Sequence, residues 1–570
     1  MEFLGESDYK GFRQLELDVS GRRGCLICPG QALPGRPWIW RCEFLGAFDT
    51  VDLALLKMGW HLAYFRVSDM YGCPGAIRLM HDFQEELCDA YALNRQAVLF
   101  GFSRGGLYAV NYALTYPYDT ALVYLDAPVL DLKSWPCGAG GDARCAEEYA
   151  ALQIPTIIVA GGADTVVPFA ENGEPFCERV RRAGGVIESI VKPDCGHHPH
   201  SLDDPRPVTD FIAAHTDFAP QLPNTVYRLQ CDRALTVGYF GGSITENGAE
   251  NGWRGRTTAY LRAAFPNAEI REIQAAIGGT DTTLGIFRCE RDLLSHKPDL
   301  VFIEFAVNDY GAPSRTAVNT ETILRKIYAA NPYAEVVIVF TLTQSIAENM
   351  ARGIPYRSRD EQMRVARHYG LPTVNIGDAL LRAIRHECGG DWLPYVPDTT
   401  HPNAAGYVSC AAEMQSFLAA ALAPAPHGLR AVRLPEPLCS ALHPDARLED
   451  AAQALSDGFT PVEKSLCGRY PHYLEGSAGA SLSFSFRGTE VGLYWMLAKD
   501  SGRIEYSIDG GEWQTRSAWD TYCLRFNRAG STILAAELPD GAHELRLRVA
   551  REKDEQSGGT LIRIGAFLVG

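Results

Sequence analysis

The chain has 570 residues, 46% hydrophobic, 21% charged and 10% aromatic, an ordinary globular composition that excludes disorder and collagen-like structure. A formal net charge of −16, from 53 Lys+Arg against 69 Asp+Glu, repels polyanions and excludes nucleic acid and an anionic membrane as partners of the whole chain. At roughly 150 residues per domain, the length exceeds a single binding module and fits three or four domains. No apolar stretch approaches the ~18 residues of a membrane span. The opening MEFLGESDYKGFRQ lacks a basic stretch followed by an apolar core, so it is not read as a secretory signal. The 16 Cys are scattered: Cys137 and Cys145 are too far apart for a zinc knuckle, and Cys195 stands alone. Buried thiols in a reducing cytoplasm are the expectation, with no metal and no cofactor.

Two Pro-containing stretches, 202–224 and 421–428, suit domain boundaries and divide the chain into 1–218, 219–425 and 426–570. The first part alternates apolar runs (24–30, 61–67, 97–102, 121–127, 154–162, 186–192) with helix-length segments such as 75–93. Non-alternating runs separated by helices predict a parallel sheet covered on both faces. The run at 97–102 leads into GFSRGG, which places Ser103 on a strand–turn–helix between Gly101 and Gly105. Such a turn lifts a hydroxyl clear of the sheet and aims the next backbone N–H, that of Arg104, at a developing oxyanion. Asp164 follows the run at 154–162, and a histidine-rich stretch, CGHHPHSL, follows the last run. His197, His198 and His200 compete for the role of base; His197 is preferred because it directly follows Gly196. The order Ser, Asp, His resembles the α/β-hydrolases of the serine esterase type. That resemblance implies a second oxyanion donor from the loop at 29–44, carried to Gln31. Trp38 and Trp40 in that loop are candidates to line an acyl or sugar pocket.

The middle part repeats the α/β pattern with runs at 235–241, 299–306 and 334–343. Four blocks sit where a parallel sheet opens at the carboxyl ends of its strands: GGSIT with Ser243, GGTDT with Gly278 and Gly279, AVNDY with Asn308, and DTTH with Asp398 and His401. Together they resemble the SGNH (GDSL-type) hydrolases, which implies a flavodoxin-like α/β/α domain. The resemblance makes Ser243 the nucleophile, His401 its base and Asp398 the group that orients the imidazole. It assigns the oxyanion hole to the N–H groups of Ser243 and Gly279 and the Asn308 amide. Gly242 stands where the name-giving motif has Asp, and the variant second block leaves Gly278 and Gly279 both open.

The third part alternates in twos, with Asp509-Gly510 marking a tight hairpin, and predicts an all-β, jelly-roll-like sandwich. Trp495, Trp513 and Trp519 are its candidate stacking aromatics; Trp513, just beyond the hairpin, is preferred. The architecture resembles modular carbohydrate O-acetylesterases. It implies an esterase with two serine sites acting on acetylated plant-type oligosaccharides, and the scattered cysteines and the opening residues make a cytoplasmic location the expectation. The alternatives are a single SGNH-type site beside a non-catalytic first domain, or acyl transfer. The oligomeric state is left open.

Overall fold

The computed structural model describes residues 1–131, 146–216, 221–465 and 470–570. Cys137, Cys145 and the expected domain limit at residue 218 lie outside them. By compactness the chain forms two units. One comprises Met1–Gln221, Ile346–Gly370 and Phe417–Ala423; the other comprises Leu222–Ser345, Leu371–Ser416 and Pro424–Gly570.

The first unit is built on nine strands: β1 (Glu2–Tyr9), β2 (Phe12–Val19), β3 (Arg22–Cys28), β4 (Trp38–Arg41), β5 (His61–Phe65), β6 (Ala97–Phe102), β7 (Thr120–Asp126), β8 (Thr156–Gly161) and β9 (Ile187–Lys192). Their order in the sheet is β1-β2-β3-β5-β4-β6-β7-β8-β9. β3 runs antiparallel to β5, whereas the pairs from β5 through β9 are parallel. Every residue of β6 and β8 is buried, which is why these two strands read as unbroken apolar runs. The helix Pro74–Tyr91 buries Met80, Phe83 and Leu87 at helical spacing against the sheet. A second helix of this unit, Arg357–Tyr369, comes from the stretch that the sequence places in the middle part. Its Arg367 donates to the carbonyls of Thr120 at 2.7 Å and Leu152 at 3.2 Å.

The second unit holds two sheets. The first is wholly parallel, with β10 (Ala234–Gly241), β11 (Glu269–Gln274), β12 (Leu300–Glu304), β13 (Glu335–Phe340) and β14 (Thr373–Asn375) in the order β11-β10-β12-β13-β14. The chain leaves β10 in opposite directions to reach β11 and β12, so a crevice opens at the carboxyl end of β10. The other sheet is antiparallel and holds the strands between Arg447 and Val569. Its core stacks Phe484 on Phe567 with ring centroids 3.8 Å apart and buries Trp495. Asp509 and Gly510 both take positive φ (51° and 73°), the geometry of a two-residue hairpin turn. Among the described residues no helix is long and apolar enough to cross a membrane.

Candidate active sites

In the first unit, Ser103 sits between β6 and the helix Gly105–Thr115 with φ at 49°, a backbone conformation non-glycine residues rarely take. The turn is held by Ser103 N–H donating to the Asp126 carbonyl at 2.9 Å. Its Oγ lies 3.1 Å from His197 Nε2, and His197 Nδ1 lies 2.7 Å from Asp164 Oδ2. Asp164 follows β8, and its other oxygen accepts the N–H groups of Val166 and Val167 at 2.8 and 2.9 Å. His197 follows β9. A side chain on Gly161, in β8, would stand 2.3 Å from the carbonyl oxygens of both Cys195 and Gly196, so the histidine loop lies directly against β8. The three competing histidines separate. His200 Nδ1 bonds Asp126 at 2.9 Å, while the exposed His198 stacks on Phe48 at 5.3 Å.

Three expectations for this unit need correction. Gln31 lies beside Gly59, where a Cβ would meet its carbonyl oxygen at 2.7 Å. Gly59 precedes β5, so Gln31 is at the amino ends of the parallel strands, opposite to Ser103. The cause is the reversed direction of β3, which sequence periodicity does not reveal. Trp38 and Trp40 are fully buried and line no accessible pocket. They stack on each other at 5.5 Å, and the Trp38 indole donates to the Asn94 carbonyl at 2.8 Å. They form β4, a strand inside what reads as a loop.

The loop after β4 carries Glu43 and Phe44, which the sequence reading missed. A Cβ on Gly105 would meet Glu43 Cβ at 3.2 Å, so Glu43 borders the Ser103 turn. Glu43 accepts from Ser68 at 3.0 Å and pairs with the Arg104 guanidinium at 3.4 Å. The available signal was position, because this loop follows the strand adjacent to β6.

In the second unit, Ser243 opens a short helix, Ser243–Glu246, at the end of β10. His401 Nε2 lies 2.7 Å from Ser243 Oγ, and His401 Nδ1 lies 2.6 Å from Asp398 Oδ2. Asp398 Oδ1 accepts the N–H groups of His401 at 2.7 Å and Thr400 at 3.0 Å. Partial burial opposes its ionisation. The His401 and Thr400 hydrogen bonds outweigh that burial and hold Asp398 below the usual carboxylate range. Gly278 N–H donates to Glu246 at 2.5 Å, which makes Gly279, with φ at 71°, the candidate oxyanion donor of the pair. Asn308 lies against Gly242, where a Cβ would come within 2.0 Å of Asn308 Oδ1.

Two buried carboxyls support this constellation. Glu304, at the end of β12, accepts from Thr245 at 2.7 Å and Thr341 at 2.6 Å. Asp309 accepts the N–H of Thr282 at 2.9 Å. Burial pushes both up to about 7, against hydrogen bonds that oppose the shift.

Arg528, from the antiparallel sheet, also reaches this site, and no sequence motif singled it out. Its Cδ is 3.9 Å from where a Gly279 Cβ would be, and it pairs with Asp520. The segment between Asp520 and Arg528 exposes Tyr522, Leu524 and Phe526. Trp513 is 46% exposed, with Arg548 over its ring at 4.4 Å. It borders a groove of about 420 Å³ that also includes Asp457, Ser481, Ser483 and Arg546.

Residues 239–408 match the model of the GDSL-like lipase/acylhydrolase family. They contain Ser243, Gly279, Asn308, Asp398 and His401. Two solved structures of a two-domain esterase described as active on acetylated mannans are similar in fold. One, co-crystallised with mannopentaose, has a TM-score of 0.53 and 22% identity over 62% of this chain and 96% of its own. The other has a TM-score of 0.54 and 21% identity over 61% of this chain and 95% of its own. No curated protein sequence matches the chain significantly.

Proposed function

We propose that the chain is a carbohydrate esterase with two serine-hydrolase sites that remove acetyl groups from plant-type oligosaccharides. The observation that carries this reading is the Ser243–His401–Asp398 relay beside Asn308, inside the segment that matches the GDSL-like family. Ser243 Oγ attacks the ester carbonyl as His401 Nε2 takes its proton. Negative charge on the carbonyl oxygen meets the N–H groups of Ser243 and Gly279 and the Asn308 amide. His401 returns the proton to the sugar oxygen, which leaves as the free hydroxyl. Water, deprotonated by His401, then cleaves the acetyl-serine to acetate and restores Ser243.

The first unit follows the same logic with Ser103, His197 and Asp164, and the N–H of Arg104 as one oxyanion donor. Its strand order, with β3 reversed between β2 and β5 and Ser103 following β6, supports an α/β-hydrolase domain. The antiparallel sheet, read as a jelly-roll-like sandwich, brings Arg528 to the Ser243 site, with its guanidinium over the Tyr522 ring at 5.6 Å, and Trp513 to a separate groove. Stacking aromatics of this kind suit sugar rings. The solved neighbours' activity on acetylated mannans supports a neutral, acetylated glycan as substrate. A net charge of −16 does not oppose such a substrate.

The test is NMR of acetylated manno-oligosaccharides treated with the Ser103→Ala, Ser243→Ala and doubly substituted enzymes. Each single variant is expected to keep part of the deacetylation, and the double variant none. If one single variant loses every deacetylation, the two-site reading fails. Acetyl appearing on an added acceptor sugar instead of as acetate would identify an acyltransferase.

A further inference from the structure

The histidine cluster beside Ser103 has more coordinating capacity than a triad needs. His197, His198 and His200 present ligand atoms that all lie within 4.8 Å of one another. Their ring centroids form a near-equilateral triangle of 4.9, 4.8 and 4.8 Å, with interplanar angles of 64°, 78° and 88°. Three imidazoles on one tetrahedral ion, with metal–nitrogen bonds of about 2.0–2.1 Å, would place their centroids about 5 Å apart. Two of the three rings are already oriented for a metal. His197 Nδ1 faces Asp164 at 2.7 Å, and His200 Nδ1 faces Asp126 at 2.9 Å. A carboxylate on Nδ1 fixes the proton there and turns the Nε2 lone pair towards a ligand, as metal-binding histidines are commonly held. Asp126 is itself fixed by Tyr124 Oη and Ser201 N–H, each at 2.7 Å. The third ring, His198, is exposed and stacks on Phe48 at 5.3 Å.

We propose that His197, His198 and His200 form a binding site for a divalent, imidazole-preferring ion such as zinc, and that occupancy reversibly silences the Ser103 site. The ion takes the Nε2 lone pair of His197 that otherwise accepts the Ser103 proton, so the hydroxyl stays protonated and unreactive. Binding rests on geometry alone; silencing also rests on reading Ser103 and His197 as nucleophile and base.

The experiment uses the full chain after chelator treatment. Zinc bound at equilibrium is measured by dialysis, and Ser103 reactivity by fluorophosphonate labelling with peptide mapping. The chain's 16 Cys offer other zinc sites, so His198→Ala is the reference. The parent is expected to hold one more equivalent of zinc than His198→Ala. Zinc should slow labelling of the parent Ser103 by at least about tenfold, with recovery on adding EDTA. His198→Ala should label at the parent's metal-free rate and be protected far less by zinc. His200→Ala should lose the same equivalent. Equal zinc uptake by parent and His198→Ala, or faster labelling with zinc, would overturn the proposal. If Ser103 is never labelled, the triad reading of the first unit fails, and the difference in zinc uptake still decides the metal site.

Discussion

At the scale of single residues, Gly242 shows how a departure from a motif can be a requirement. The sequence places it where the related motif carries Asp. In the structure, Asn308 fills the space that any side chain at position 242 would need, with Oδ1 at 2.0 Å and Cγ at 2.8 Å from a Cβ. Gly242→Ala must therefore turn the Asn308 amide away from the oxyanion position. Loss of one such donor costs about 10²–10³ in kcat. The variant should show that loss in deacetylation by the Ser243 site, with KM nearly unchanged and an unaltered circular dichroism spectrum. A kcat equal to the parent's would remove Asn308 from the oxyanion hole. Ser103 and Ser243 were legible in the sequence because each follows a strand with glycines close by, and Asp398 and His401 because they stand three apart just before the last helix. Gln31, Trp38 and Trp40 were misplaced for two physical reasons. A four-residue strand leaves too short a run to register, and the direction of β3 is a tertiary property.

At the scale of elements, the contact between β8 and the loop after β9 sets the Ser103–His197 distance. Gly161 lets the Cys195–Gly196 backbone lie against β8, and a methyl group there would collide with two carbonyl oxygens at 2.3 Å. Gly161→Ala should push this loop outward and separate His197 from Ser103. A displacement near 1 Å costs roughly 10²-fold in reactivity. Fluorophosphonate labelling, mapped by peptide, should fall at Ser103 by about that factor and stay unchanged at Ser243. Equal labelling of Ser103 in variant and parent would show that the loop holds its position without this contact. The buried runs β6 to β8 were legible because a strand covered on both faces is apolar at nearly every position. The helix Arg357–Tyr369 was not picked out in the sequence, and its stretch was placed in the middle part instead of the first unit. Its anchor, Arg367, bonds backbone carbonyls, and these carry no residue signature in the sequence.

At the scale of the whole molecule, stability against pH follows from buried ionisable groups of opposite sense. Glu304 and Asp309 are raised to about 7 and Asp360 to about 6, in each case chiefly by burial. An unfolded carboxyl titrates near 4, so across the interval from there to the folded value the native state binds more protons. These groups contribute fully below about pH 4, and their contribution is lost as the pH rises through 6 to 7. Buried His61 is lowered to about 4, and His81 is lowered as well, both by burial. Each stabilises above its ordinary value and loses that contribution as the pH falls through the folded one. The carboxyls win on the alkaline side, where ionising one costs on the order of 3 kcal/mol. The net charge of −16 adds self-repulsion in the same direction. The protein should therefore melt several degrees lower at about pH 8 than at about pH 5.5. Glu304→Gln isolates one contribution, since the amide can still bond Thr245 and Thr341 without ever ionising. Calorimetry should show its melting transition falling less than the parent's between those two pH values. A parallel fall in variant and parent would mean that Glu304 is ionised throughout, and that the charge of the whole chain sets the slope.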